Sequence, residues 1–233
     1  MSGPAPRNDQ AILLALDTSG PFGSVAVGGG GTISSQVTLA ERREHASGLV
    51  PAVEEALRTA AVSRRELGGI VVGEGPGSFT GVRVAAATAK GLAHALGVPL
   101  WAVSSLTAAA LASDVGPVRY ALFDARGDRV YGACYGVGAA GVQEMIAPHG
   151  GTLREALAGD VPAGAVFLGE AAVRHRSAIE AAGFPVADGE RDMLAVGLLR
   201  HASLHPAAPP VSDPSSWEPA YIRASSAERL WTT

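Results

Sequence analysis

The chain has 233 residues, 47% of them hydrophobic and 17% charged, with a formal net charge of −4. That is enough apolar material for one large domain or two small ones, and the acidic balance excludes a global basic field that would draw the chain to nucleic acid by itself. A single cysteine, Cys134, excludes an internal disulfide framework and a cysteine-rich zinc site.

Residues 1–11 lack the apolar core of a signal peptide and read as a short disordered leader. No apolar run reaches the roughly 20 residues of a membrane helix, so a cytoplasmic protein without a membrane partner is expected. Ile12-Leu-Leu-Ala-Leu16 reads as a strand buried on both faces. Turn residues 17–21 and 28–31 separate it from strands at 22–27 and 32–39, which together form an antiparallel meander. Over 41–61 the apolar period becomes helical, with Pro51 inside the pattern. A strand at 68–73, a small-residue helix at 82–96 stopped by Gly97, a strand at 100–103 and a helix capped by Ser104 or Ser105 follow.

After Gly116 the texture changes. Residues 118–123 and 129–135 read as a hairpin, with 142–146 extending it. Helices are expected at 152–157, 171–182 and 191–204, and a short strand at 166–168. Cys134 lies in a strand-like stretch, where a buried, inert thiol is expected. The organisation is therefore a leader at 1–11, an N-terminal unit at 12–115, a second unit at 116–204 and an extended tail at 205–233, of which Tyr221-Ile222 is expected to dock.

The stretch Gly73-Glu-Gly75-Pro76-Gly77-Ser78-Phe79-Thr80-Gly81 raises three chemistries and misses each. A P-loop needs Lys-Ser/Thr after its last glycine, where this chain has Val82-Arg83. A dinucleotide fingerprint needs a third glycine in a register where Ser78 or Thr80 stands. A nucleophile elbow needs a glycine where Pro76 stands, and no histidine pairs with Ser78 by any pattern. His201 and His205 are four apart, but at a helix end before Pro206 they read as a solvated pair rather than a zinc site. No metal site is expected. Lys90 is the only lysine, which the alanine- and glycine-rich composition explains as bias. On the 82–96 helix, Val82, Ala85, Ala89, Leu92 and Leu96 can cover the sheet. Val84, Ala87, Thr88, Gly91 and Ala95 form a second stripe, either a partner surface or more core.

Ile12 to Ser19, Gly75-Pro-Gly-Ser-Phe-Thr-Gly81-Val-Arg83, Ala89-Lys-Gly-Leu-Ala93, Val103-Ser-Ser-Leu106 and Asp124-Ala-Arg126 occur in this order and spacing. Together they resemble the TsaB (YeaZ) family of bacterial tRNA threonylcarbamoyladenosine biosynthesis proteins, and Pro219-Ala-Tyr-Ile-Arg223 resembles that family's tail motif. The resemblance implies an α/β, actin/Hsp70-like (ASKHA) fold of two subdomains with mixed sheets flanked by helices, the second reduced. It implies a non-catalytic accessory subunit for TsaD, which transfers the threonylcarbamoyl group to the tRNA adenosine 3′ of the anticodon. The ATPase TsaE joins them, so ATP belongs to the assembled complex and no cofactor to this chain; tRNA is met only through the complex, and a homodimer is implied when the chain is alone. The partner interface is then expected on the outer faces of two helices, at His45, Leu49, Ala52, Val84, Ala87, Thr88, Gly91 and Ala95. Alternatives are a serine hydrolase or glycoprotease-like enzyme using Ser78, and an ASKHA nucleotide binder or small-molecule kinase using Asp17, where the superfamily places a phosphate-contacting acid, and Gly169, where it brings backbone near adenosine.

Overall fold

The computed structural model describes residues 11–39, 45–139, 141–188 and 193–222. The leader at 1–10, the helix starts expected at 41–44 and 191–192, and Arg223 of the tail motif lie outside them. The first sheet has the order β3-β2-β1-β4-β5, from β1 (Ile12–Asp17), β2 (Gly23–Gly29), β3 (Thr32–Leu39), β4 (Leu67–Gly73) and β5 (Leu100–Val103). β1 pairs antiparallel with β2 and parallel with β4, so the expected meander joins two crossover strands. The second sheet has the order β8-β7-β6-β9, from β6 (Val118–Asp124), β7 (Arg129–Gly138), β8 (Gly141–Thr152) and β9 (Val166–Leu168), with β9 parallel to β6.

Side chains alternate across a strand, so each sheet has two faces to cover. On the first sheet, Leu14, Leu16, Val25, Ile70 and Val72 pack under α1 (His45–Thr59) and α2 (Phe79–Leu96). Leu13, Ala15, Ala26, Val71 and Trp101 face the other way, onto α3 (Ser105–Ala112) and α7 (Leu194–Leu204). The inner face of the second sheet, with Ala121, Phe123, Ala133 and Tyr135, joins that same cluster. Its outer face, with Tyr120, Leu122 and Cys134, is closed by α4 (Leu153–Ala158), α5 (Glu170–Arg174) and α6 (Arg176–Ala181). The layers therefore run helices, sheet, helices, sheet, helices: two mixed sheets flanked by helices, the second with fewer strands. Cys134 is fully buried, and burial pushes its thiol up to about 11, as expected for an inert cysteine.

Several sequence expectations shift. α2 starts three residues early because Ser78 caps it, its hydroxyl accepting from the Gly81 amide. At α3, Ser104 is the N-cap residue but its hydroxyl makes no capping bond, and Ser105 is turned to other use. β8 is twice as long as expected, because its Pro148-His149-Gly150-Gly151 run reads as loop while an edge strand tolerates proline. The helix expected over 171–182 breaks at His175 into α5 and α6. α7, placed by chain position with the second unit, packs on β1, β2, β4 and α3 as well as β8.

His201 is a further correction. It is half-buried in α7, its ring centroid 4.5 Å from that of His205, rather than fully solvated. Burial, and secondarily His205, lowers its pKa from 6.5 to about 4. An unfolded histidine takes up a proton near pH 6.5 while the folded one resists until about 4. The stability linked to His201 is therefore fully present above 6.5 and is lost progressively as pH falls from 6.5 towards 4. His201→Gln should lose less melting temperature than the parent chain between pH 7 and pH 4.5; equal losses by thermal denaturation would contradict this.

Candidate functional site

The signature turn between β4 and α2 is packed onto the turn that follows β1. Asp17 ends β1 fully buried. Its Oδ1 accepts from the Ser19 amide at 2.7 Å and the Ser19 hydroxyl at 2.6 Å, and its Oδ2 accepts from the Ser105 hydroxyl at 2.6 Å. The Ser105 oxygen in turn accepts from the Gly75 amide at 3.1 Å. Thr18 donates to the Gly81 carbonyl at 2.6 Å, and the Ser78 amide donates to the Ser19 carbonyl at 2.8 Å. This network ties the ends of β1 and β4 to the starts of α2 and α3.

Close approach explains the small residues. A Cβ on Gly73 would lie 1.7 Å from the Asp17 Oδ2, one on Gly77 2.5 Å from the Ser19 carbonyl oxygen, and one on Gly81 1.9 Å from the Thr18 carbonyl oxygen. Burial raises the Asp17 pKa, while hydrogen bonds from Ser105 and Ser19 oppose that. As a phosphate ligand Asp17 does not fit, because both carboxylate oxygens are already turned onto protein hydroxyls and an amide. Gly169 also has a packing reason: its φ is +95°, and a Cβ there would lie 2.6 Å from the Leu122 carbonyl oxygen of β6. Ser78 makes the geometry of a helix N-cap, at 3.4 Å from the Gly81 amide. Among the described residues no group of three His, Cys, Asp or Glu side chains is placed to hold a metal. No helix among them is long and apolar enough to cross a membrane.

The outer surface of α2 presents Ala87, Gly91 and Ala95 to solvent, with Val84 and Thr88 half-buried beside them. A Cβ on Gly91 would meet nothing within 4 Å. α1 packs alongside α2. His45, Leu49 and Ala52, expected on the outer face of α1, are instead buried among Val53, Ala56 and Leu57. The spacing of three and four residues that groups them also groups them with the core stripe. Val50, 51% exposed, is on the outward side.

Sequence reasoning missed an aromatic cluster at the start of α2. The Arg83 guanidinium sits 3.9 Å over the Phe79 ring, and its Nε donates to the Tyr221 hydroxyl at 3.1 Å. Phe79 and Tyr221 remain 38% and 40% exposed, with ring centroids 5.5 Å apart. Phe79, Arg83 and Tyr221 all stand in quoted motifs, but nothing local joins residues 138 apart. Thr18, Ser19 and Ser105 were likewise legible as motif members and not as partners of Asp17.

Comparison with known proteins places the chain. The profile of the family described as TsaD: tRNA N6-adenosine threonylcarbamoyltransferase matches residues 32–206. The tRNA threonylcarbamoyladenosine biosynthesis protein TsaB of Escherichia coli is 37% identical over 126 residues, covering 53% of this chain and 54% of its own. The protein of the same name from Bacillus subtilis is 36% identical over 124 residues, with the same coverage. The chain thus spans about half the length of the curated relatives it matches. A crystal structure from Pseudomonas aeruginosa, described as an uncharacterized protein with similarity to peptidase YEAZ, superposes with a TM-score of 0.76 at 29% identity, over 92% of this chain and all of that one. The two mixed sheets are those of an actin-like (ASKHA) fold, and the chain belongs to the TsaD family, within which it groups with the TsaB/YeaZ proteins.

Proposed function

We propose that the chain is a non-catalytic accessory subunit in tRNA threonylcarbamoyladenosine biosynthesis. It binds and activates TsaD, together with TsaE, for transfer of the threonylcarbamoyl group to the tRNA adenosine 3′ of the anticodon. The observation that carries this reading is the α2 face. Ala87, Gly91 and Ala95 are open on a helix whose other side is packed, and small residues let a second helix approach closely. The names of the relatives support the process, and the match of this chain to the TsaD family profile supports a role in a TsaD-containing complex. Two copies of the chain alone would pair through the same face.

The test is reconstitution. Purified TsaD and TsaE with substrate tRNA and threonylcarbamoyl-adenylate should modify the tRNA when the chain is present and fail, or slow at least tenfold, when it is left out. Ser78→Ala should support the parent rate, because only a helix cap is removed, at a stability cost of about 1 kcal/mol. Loss of modification with a folded Ser78→Ala chain would favour a serine nucleophile instead.

A further inference from the structure

Residues 206–222 do more than dock at Tyr221 and Ile222. The Trp101 indole donates to the Ala208 carbonyl at 2.9 Å, and the Val211 amide donates to the Leu100 carbonyl at 2.8 Å, closing part of the β5 edge. The Lys90 ammonium then donates to the carbonyls of Trp217 at 2.7 Å and Ser215 at 3.2 Å, and lies 5.9 Å from the centre of the Trp217 ring. The Ala220 amide donates to the Glu74 carbonyl at 3.2 Å, and Tyr221 meets Arg83 and Phe79. A Cβ on Gly150 of β8 would lie 3.4 Å from Ile222. The segment thus runs from the edge of the first sheet, along one side of α2 and past the signature turn, to the second sheet.

Its attachment is shallow. Every residue from 206 to 222 is half-buried or exposed; the segment's backbone hydrogen bonds to the body are spaced several residues apart, and Ala208, Val211 and Trp217 add partly buried apolar packing against the core clusters. Five of the 17 residues are prolines, which lowers the entropy lost on seating but removes backbone donors. Each bond contributes on the order of 1 kcal/mol against an ordering cost of similar size per residue, so the segment is expected to open locally at a lower free energy than the sheets it covers. Lys90 stands out in this set. It bridges two carbonyls and an aromatic face at once, its bonds are charge-assisted, and it is the only lysine in the chain.

We propose that Lys90 is the latch of a C-terminal strap formed by residues 206–222. Neutralising the ammonium releases the strap, baring the Trp101 indole N–H, the Leu100 carbonyl of the β5 edge and the Glu74 carbonyl of the signature turn. Lys90 and Arg83 are seven residues apart and share one side of α2, next to the stripe of Ala87 and Gly91. The seated strap therefore forms a wall of the docking face, and its release weakens docking; this second half rests on the reading of α2 as that face.

Hydrogen exchange in the full chain tests the latch. Lys90→Gln should speed exchange of the Val211 and Ala220 amides at least tenfold, Lys90→Arg should leave them near the parent rate, and β1 and β4 amides should not change in either. Unchanged Val211 and Ala220 exchange in Lys90→Gln overturns the latch, as does equal acceleration in β1 and β4, which would mean global loosening. Affinity for purified TsaD tests the second half, with Ala87→Glu alongside. Lys90→Gln should bind roughly tenfold more weakly, the scale on which a lost interface wall registers. Parent-like binding by Lys90→Gln with none by Ala87→Glu overturns strap control and leaves the docking reading standing. Parent-like binding by Ala87→Glu overturns the docking reading and strap control with it, while the exchange result decides the latch separately.

Discussion

On the proposed docking face, Ala87→Glu and Gly91→Glu should each abolish association with TsaD while the monomer stays folded. Both positions are open, and a Cβ at Gly91 meets nothing within 4 Å, so neither glutamate displaces a core atom. Within the helix, glutamate is also a better residue than glycine by roughly 0.5–1 kcal/mol. The cost falls on the complex. A carboxylate inserted where two helices approach closely loses its water without gaining a partner, a penalty of several kcal/mol and a loss of affinity beyond 100-fold. Gly91→Ala is the control that separates size from charge: it should raise monomer stability while retaining part of the binding. Co-purification of either glutamate variant with TsaD at parent levels, with circular dichroism confirming the fold, would remove this face from consideration.

Gly197→Ala has the opposite sign from Gly91→Ala although the chemical change is the same. At Gly197 a Cβ would lie 1.9 Å from the Ala108 carbonyl oxygen and 2.9 Å from the Ala108 Cα, backbone atoms that cannot rotate away. Here the backbones of α7 and α3 approach closely, and those two helices fill the layer between the sheets. Arg200 of α7 also donates to the Leu111 carbonyl at the end of α3, at 2.7 Å, so moving the helices apart strains that contact too. Overpacking of this kind costs about 3 kcal/mol. At about 2–4 °C per kcal/mol for a chain of this size, the melting temperature should fall by roughly 10 °C. An unchanged or raised melting temperature by calorimetry would show that the helices have room.

The two glycines look alike in sequence. Each lies inside an apolar, alanine-rich helical run, and nothing local states that one faces solvent and the other a backbone carbonyl. The same limit explains α1. A stripe at three- and four-residue steps names a face without saying which way it points, and His45, Leu49 and Ala52 turned out to share the buried one. On α2 the two stripes were separable because the sheet-facing side was marked by Val82, Ala85 and Ala89.

Strand periodicity, turn residues and helix stops were enough by themselves to read the β1–β3 meander, to place β4, α2, β5 and α3 along the chain, and to show that the GPGSFTG turn matches neither the P-loop nor the nucleophile-elbow pattern. Such features depend on neighbours within a few residues, where backbone sterics and local hydrogen bonding dominate. Only the tertiary structure decided that Asp17 is sealed by Ser19 and Ser105, 88 residues from its second partner, and that the tail is held along α2 through Lys90. Hydrogen bonds across such distances are set by how the layers stack, and no local pattern encodes them.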